Sequence, residues 1–234
     1  MTTWLEPIPG LQRRDPEHRY WLGDHLFPVS ITGVLQIAKS SYALSRIEAS
    51  RPVWEPRGNT CHLALELFLA GRYRQPGHPE LDAVLSRLGG EEGFLDYREW
   101  IEPLISHGRW DAVEVIASER ATCCLSRNVA GTFDVAFLDP DLPVSVERRA
   151  GVSGPARVLA DLKSLSAQGS TYCTRAQIGG YMALEWSHGH WYDYGQTLWC
   201  RPGRSQFSPL YSRSECLAAW AAVWAQYAGT HRPF

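Results

Sequence analysis

The chain is poor in lysine. Of its 23 lysine and arginine residues only Lys39 and Lys163 are lysine; arginine fills every other cationic position. It also lacks paired cysteines at metal-binding spacing. The six thiols, Cys61, Cys123, Cys124, Cys173, Cys200 and Cys216, contain no Cys-x-x-Cys, which argues against a structural zinc site and against an iron–sulfur cluster. No run of 18 apolar residues occurs, so no membrane span is expected. The opening Met-Thr-Thr-Trp-Leu-Glu has no basic segment followed by an apolar one, so no secretory leader is expected. A Walker A pattern is missing, which argues against ATP hydrolysis. Excess charge of either sign is missing too, with a net charge of −2 and a pI of about 6.4. Any nucleic-acid contact must then come from a local basic groove. The expected setting is reducing, the cytoplasm or a DNA-containing compartment, with free thiols.

What is present suffices for one sizeable core. The 234 residues, 44% hydrophobic, predict a single domain over 1–234, with 1–19 loosely held because it is rich in proline and charge. Ten tryptophans and ten tyrosines supply core volume and candidate platforms for stacking on bases.

Taken in order, Tyr20–Phe27 predicts a short hairpin turning at Gly23-Asp24. Ser30 or Thr32 opens a helix expected to run to about Ala49. Pro52 and Pro56 mark a break, and Asn59 or Thr60 opens a second helix over Cys61–Leu69, ended by Gly71. Residues 72–93 suggest a loop and short helix, and Phe94–Ile105 a helix with Pro103 inside it. Val113–Cys124 and Val129–Leu138 alternate as paired strands around Arg127-Asn128. Val158–Lys163 and Gln196–Cys200 are further strands, Arg175–Trp186 is helical, and Ser212-x-x-Glu215 is a capping box for a last helix. Helices, then strands, then helix, strand and helix predict an α/β (α+β) fold: a mixed central sheet flanked by helices.

Chemistry concentrates at Asp161-Leu162-Lys163, at the end of the apolar run Val158-Leu159-Ala160, and at Gly131-Thr132-Phe133-Asp134 on the preceding strand. Two carboxylates and one ammonium on neighbouring strands suit metal-assisted phosphodiester hydrolysis. Mg²⁺ takes hard oxygen ligands from one or two carboxylates, phosphate and water. In a chain that otherwise uses arginine, Lys163 stands out, because a compact ammonium whose pKa shifts on burial has no arginine equivalent. His62 is a candidate metal ligand on the second helix, with Glu66 four residues later on the same face and expected to form an ordinary ion pair. Gln177 and Tyr181 share a helical face after the Asp-x-Lys strand. Glu119 lies on the strand expected to pair with that of Asp134.

In their order, His62, Gly131-x-x-Asp134, Asp161-x-Lys163 and Gln177-x-x-x-Tyr181 resemble the PD-(D/E)XK nuclease superfamily in its RecB-like branch. The chain is most similar to stand-alone exonucleases of the mitochondrial genome maintenance type, from about Phe27 to Tyr227. That stretch includes Val29–Leu35, Gly93-Phe94-x-x-Tyr97 and the Trp-rich last helix. The resemblance implies a restriction-endonuclease-like core. It implies Mg²⁺ or Mn²⁺ held by His62, Asp134, Asp161 and the backbone carbonyl of Leu162. Lys163 would act on the nucleophilic water. Gln177 and Tyr181 would position the lysine and the phosphate, Ser164 would contact substrate, and Glu119 matches a family acid. The implied activity is a metal-dependent deoxyribonuclease, foremost an exonuclease on single-stranded ends, with replication or recombination proteins as partners. A structure-specific endonuclease and a non-catalytic DNA-binding subunit are the alternatives. Relatives with a four-cysteine iron–sulfur cluster, and the motor of RecB, have no counterpart in this sequence.

Overall fold

In the computed structural model, residues 4–14, 19–71, 95–148 and 150–230 are described. The two longest strands, of 11 residues each, are buried along most of their length, on both faces of the sheet. Strand β5 (Glu114–Cys124) and strand β6 (Val129–Asp139) form an antiparallel hairpin through Leu125–Asn128, where Asn128 takes the left-handed conformation (φ 54°). Strand β7 (Ala156–Ser164) runs antiparallel to β6, and β8 (Tyr194–Arg201) runs parallel to β7. The β7-to-β8 crossover is made by a helix over Arg175–Trp186, as a parallel pair requires.

The sheet reaches seven strands through short additions. Strand β4 (Val29–Ser30) pairs parallel with the first residues of β6. Strands β9 (Arg204–Phe207) and β10 (Tyr211–Ser212) both pair antiparallel with β8. Three further strands form a separate small sheet: β1 (Leu11–Arg14), β2 (Arg19–Leu22) and β3 (His25–Leu26). The β2–β3 turn falls at Gly23-Asp24 as expected, with Gly23 at φ 58°.

Helices cover both faces. The first face carries α3 (Arg51–Leu69), α4 (Arg98–Ile105) and α5 (Arg109–Ala112). Cys61, Leu65, Leu69, Ile101, Leu104 and Trp110 there pack on Val135, Phe137, Val158, Ala160 and Leu162. The second face carries α1 (Ile31–Gln36), α6 (Arg175–Trp186) and α7 (Arg213–Thr230), packed on Phe133, Ala136 and Leu159. The capping box of α7 is made: the Ser212 N–H donates to Glu215, whose own N–H donates to Ser212 Oγ at 3.2 Å.

Three expectations are corrected. The helix read as continuous to Ala49 is two, α1 and α2 (Ser41–Ala49), because Ser40 turns its hydroxyl onto the Ala43 N–H at 3.2 Å and starts a new helix. The break expected at Pro52 and Pro56 is helical. Pro52 sits in the first turn of α3, where its missing N–H costs nothing, and Pro56 is accommodated one turn further in. Residues 4–14 are tied down rather than loose. The Leu5 N–H bonds to the Ile116 carbonyl at 2.7 Å, and the buried Arg120 guanidinium holds the Leu5 and Glu6 carbonyls. The readings over 72–93 and at Gly93-Phe94 lie outside the described residues.

Candidate metal centre

The ladder between β6 and β7 runs from Asp139↔Ala156 to Val135↔Ala160 and stops. One step further, where the strands part, stand Asp134 and Asp161. Ala160 and Leu162 both face the first core, so alternation turns Asp161 and Lys163 to the second face, toward α6. Asp134 accepts a hydrogen bond from the Leu162 backbone N–H, which locks the two strand ends together at the fork. Lys163 Nζ lies 2.7 Å from Asp161 Oδ2. Asp161 is fully buried, and its other oxygen, Oδ1, has no partner among the described residues.

Helix α3 brings His62 across the gap. Its Nδ1 is 2.9 Å from Glu119 Oε1 and 3.3 Å from Asp134 Oδ1. One donor atom from each of His62, Glu119 and Asp134 lies within 4.8 Å of the others, a spacing that can hold a metal ion. Glu119 reaches this point from a strained backbone. Its φ is 44°, in the left-handed region that non-glycine residues rarely enter. It sits within β5 between Ser118↔Val135 and Arg120↔Phe133, directly across from Asp134.

The electrostatics are those of crowded carboxylates faced by one ammonium and one imidazole. Burial pushes the Asp134 carboxyl up, His62 pulls it back, and Asp161 and Glu119 push it further, to about 7. Burial works against a charged His62, but the Asp134 charge and the Glu119 hydrogen bond outweigh it and raise the imidazole to about 9. Burial also works against the Lys163 ammonium. Asp161 and Asp134 more than offset it and hold the amine above its ordinary value. In this arrangement Lys163 is a fixed positive charge and hydrogen-bond donor, not a proton acceptor.

On the far side, Gln177 Nε2 donates to Tyr181 Oη at 3.3 Å across one turn of α6. The Tyr181 ring is buried against Phe133, and a Cβ on Gly131 would stand 2.8 Å from Tyr181 Cε1 and 3.1 Å from Ile31 Cγ1. The glycine of Gly131-x-x-Asp134 is there because the tyrosine packs on bare backbone. Burial raises the Tyr181 hydroxyl well above its ordinary value, and Asp134 and Asp161 add to the effect.

The residues expected from sequence therefore converge on one fork, with a change of partnership. The side chains at ligand distance are His62, Glu119 and Asp134; Asp161 holds Lys163 instead. The Leu162 side chain belongs to the first core and its N–H serves Asp134. Glu66 is influenced first by burial and then by Glu119, which both raise its carboxyl, while Arg13 and His62 pull it down. Ser164 accepts two hydrogen bonds from Arg57: Oγ from Nε at 3.3 Å and the carbonyl from Nη2 at 3.1 Å.

Two residues at the site had no sequence argument behind them. Arg57 is buried, stacks 5.6 Å over Trp100 and has no carboxylate partner among the described residues. Trp100 in turn donates to the Leu165 carbonyl at 2.6 Å, so consecutive carbonyls after Lys163 are both clamped. Gly58, four residues before His62 on the same helical face, lies against Ser164, where a Cβ would make an ordinary contact with Oγ at 3.7 Å, so it is no signal of the clamp. Tyr172, half exposed, lies beside the Lys163–Asp161 pair. Burial raises its hydroxyl, Lys163 pulls it down and Asp161 pushes it up. Nothing in the sequence marks Tyr172, because only the return of the loop between β7 and α6 brings it there.

A single divalent cation fits these groups. It would offset the charge of the Glu119 and Asp134 carboxylates beside His62. Imidazole with carboxylate is a donor set that Mn²⁺ accepts, while Mg²⁺ favours the oxygens. None of His62, Glu119, Asp134, Asp161 and Lys163 lines two recesses elsewhere on the surface, around Phe68 and Ile105 and around His107 and Phe207. No helix among the described residues is long and apolar enough to cross a membrane.

No protein-family model matches the chain, and no curated protein matches it. Among solved structures, that of SSO0001 aligns over 76% of this chain and 76% of its own, at 11% identity and a TM-score of 0.31.

Proposed function

We propose that this chain is a Mg²⁺- or Mn²⁺-dependent deoxyribonuclease that hydrolyses phosphodiester bonds, acting as an exonuclease on single-stranded DNA ends. The observation that carries the reading is the fork itself. Asp134 and Asp161 face each other where β6 and β7 part, with Lys163 on Asp161 and His62 and Glu119 closing the open side. The cation, when bound by His62, Asp134 and the neighbouring carboxylates, would polarise the phosphodiester and make a bound water acidic.

The chain's own groups do the rest. Asp161 keeps Lys163 charged and aimed into the fork, so its ammonium is placed to hold the attacking water and to offset charge developing on the phosphate. Gln177, fixed by Tyr181, offers its amide from the opposite wall. The Arg57 clamp on Ser164 sets the exit of β7 and with it the reach of Lys163. A catalytic use accounts for features that folding alone does not favour: a left-handed Glu119, an orphaned buried oxygen on Asp161, and a carboxyl raised to about 7.

The test is one gel. End-labelled linear single-stranded, linear duplex and closed-circular single-stranded DNA are incubated with Mn²⁺, Mg²⁺ or EDTA. Metal-dependent loss of the linear single strand, with the circle spared, is expected. Cutting of the circle at the same rate would replace the exonuclease with an endonuclease. No cutting of any substrate in either metal would leave a DNA-binding subunit.

A further inference from the structure

The face of the sheet that carries Asp161 and Lys163 continues onto β8 and β9. In the parallel β7–β8 ladder Lys163 lies beside Trp199, and in the antiparallel β8–β9 ladder Arg201 lies opposite Arg204. Leu198, Cys200 and Phe207 pack in the first core, and a Cβ on Gly195 would meet Ile178 of α6. Alternation therefore puts Trp199, Arg201 and Arg204 on the Lys163 face. Arg201 follows Trp199 by two residues, so its backbone stands about 5 Å to the side of Lys163 and about 7 Å further along the sheet. Arg201 is partly buried and Arg204 is exposed. Among the described residues neither guanidinium has a hydrogen-bond, ion-pair or ring partner. Like charges facing each other across two strands destabilise a sheet. The pair is nonetheless held on a fixed turn: Gly203 takes φ 69°, and its N–H donates to the Glu99 carbonyl of α4 at 2.9 Å. Between this pair and Lys163, Trp199 is only 8% exposed, and its buried indole N–H has no partner among the described residues. Buried N–H groups are as a rule paired.

We infer that Arg201 and Arg204 form a phosphate-binding site for the DNA strand, next to the phosphate that lies at Lys163. The occupant is identified by chemistry. The two guanidiniums offer only donors, and so does the indole between them and Lys163. Charged phosphate oxygens are their matching acceptors, and guanidinium takes phosphate in bidentate pairs. An isolated carboxylate could serve one arginine, whereas a phosphodiester backbone supplies anions in series along the row from Lys163 to Arg204. The chain as a whole carries a net charge of −2, so this row of unpaired donors is a local feature rather than a global excess. The inference rests on the nuclease reading for the phosphate at Lys163, but the two arginines are tested without catalysis.

Binding of a labelled twenty-nucleotide oligothymidylate to the full chain is measured in EDTA across a salt series. The proteins are wild type, Arg201→Gln, Arg204→Gln, the double variant, and Arg46→Gln, an exposed arginine of α2 that controls for loss of charge alone. Hydrolysis of bis(p-nitrophenyl) phosphate and of the oligonucleotide by wild type with Mn²⁺ tests the nuclease reading separately. The double variant is expected to bind about tenfold more weakly and to make the log–log salt dependence shallower by about 1.4, with each single change giving about half that slope. Thermal melts check folding, and melting temperatures at or above wild type are expected because a repulsive pair is removed. Arg46→Gln is expected to bind as wild type does. A folded double variant that binds with wild-type affinity and slope overturns the site; should the double variant not fold, the same result for the exposed Arg204→Gln overturns it. An equal loss in Arg46→Gln also overturns it, since any cation would then serve. Wild type that hydrolyses the small diester but binds no oligonucleotide overturns the site and leaves the nuclease reading standing. Wild type that binds through Arg201 and Arg204 but hydrolyses neither substrate supports the site and removes the nuclease reading.

Discussion

Lys163 is the residue whose replacement separates a catalytic ammonium from a surface cation. Lys163→Arg preserves the charge, but a planar fork cannot occupy the place of a point donor 2.7 Å from the buried Asp161 carboxylate. The expected loss is about 10²- to 10³-fold in single-turnover DNA cleavage with an unchanged melting curve. Lys39→Arg, at an exposed position after α1, serves as the neutral control. A rate within a few-fold of wild type for Lys163→Arg would show that the ammonium takes no part. The neighbouring His62–Asp134 pair makes a prediction about pH. Both groups are raised in the folded chain, Asp134 from 3.8 to about 7 and His62 from 6.5 to about 9. A raised group stabilises the fold below its ordinary value and loses that contribution as pH passes its folded value. The metal-free protein should therefore lose melting temperature from about pH 4 to 7 through Asp134, and on toward pH 9 through His62. A metal must displace both protons, so Mn²⁺ affinity by calorimetry should rise over the same range with proton release. Affinity independent of pH between 6 and 9 would mean that these two side chains are not the ligands.

At the scale of elements, the site depends on how closely helices approach the sheet. Helix α6 carries Gly179-Gly180 in its middle, a pair that costs about 1 kcal/mol per glycine relative to alanine in isolation. The reason is α7. A Cβ on Gly179 would lie 1.9 Å from the Cys216 carbonyl oxygen, and one on Gly180 would lie 2.8 Å from Ile31 Cδ1. Gly179→Ala must push α7 off α6 and is expected to destabilise by several kcal/mol, within the range of severe overpacking. Gly131→Ala makes a subtler test, since it presses on the Tyr181 ring rather than on backbone. A stability loss of about 1–3 kcal/mol is expected, together with a larger fall in cleavage than the lost stability explains, because Tyr181 carries Gln177. Denaturant melts alongside kcat would separate the two; equal losses of both would reduce Tyr181 to packing. The early part of α3 was not legible as helix because its two prolines were weighed as breakers. Pro52 lies at the helix start, which only the course of the chain defines and where it is tolerated, while Pro56 is carried inside the helix at the loss of a backbone hydrogen bond.

At the scale of the molecule, the N-terminal segment is fastened to the second face through one buried network. Arg120 bonds Glu185 at 3.4 Å and the Leu5 and Glu6 carbonyls, and Tyr192 Oη donates to the same Glu185 oxygen at 3.3 Å. Glu185 is fully buried, so Arg120→Met strands its charge and should cost about 3–5 kcal/mol. The double change Arg120→Met with Glu185→Leu removes the stranded charge and should recover much of that loss in urea melts. Recovery of nothing would show that the tether to Leu5 and Glu6, not the charge, is what matters. Arg120 neighbours Glu119, so the single variant is also expected to impair cleavage.

Local patterns in the chain were enough for the strand hairpin around Arg127-Asn128, the Asp-x-Lys strand, the helix with Gln177 and Tyr181 on one face, and the capping box at Ser212. Period-two and period-3.6 alternation and turn residues act within a few positions, and sequence displays them directly. The mixed sheet with helices on both faces follows from the order of those elements. The identity of neighbours at the fork did not follow. That β6 and β7 part after Val135↔Ala160, that a left-handed Glu119 rather than Asp161 joins His62 and Asp134, and that Arg57 and Tyr172 arrive from a helix and a returning loop, are outcomes of long-range packing. Charges brought together from residues 57 to 172 acquire their pKa values and pairings only when the fold excludes water and fixes distances, because burial and proximity, not residue type, set those energies.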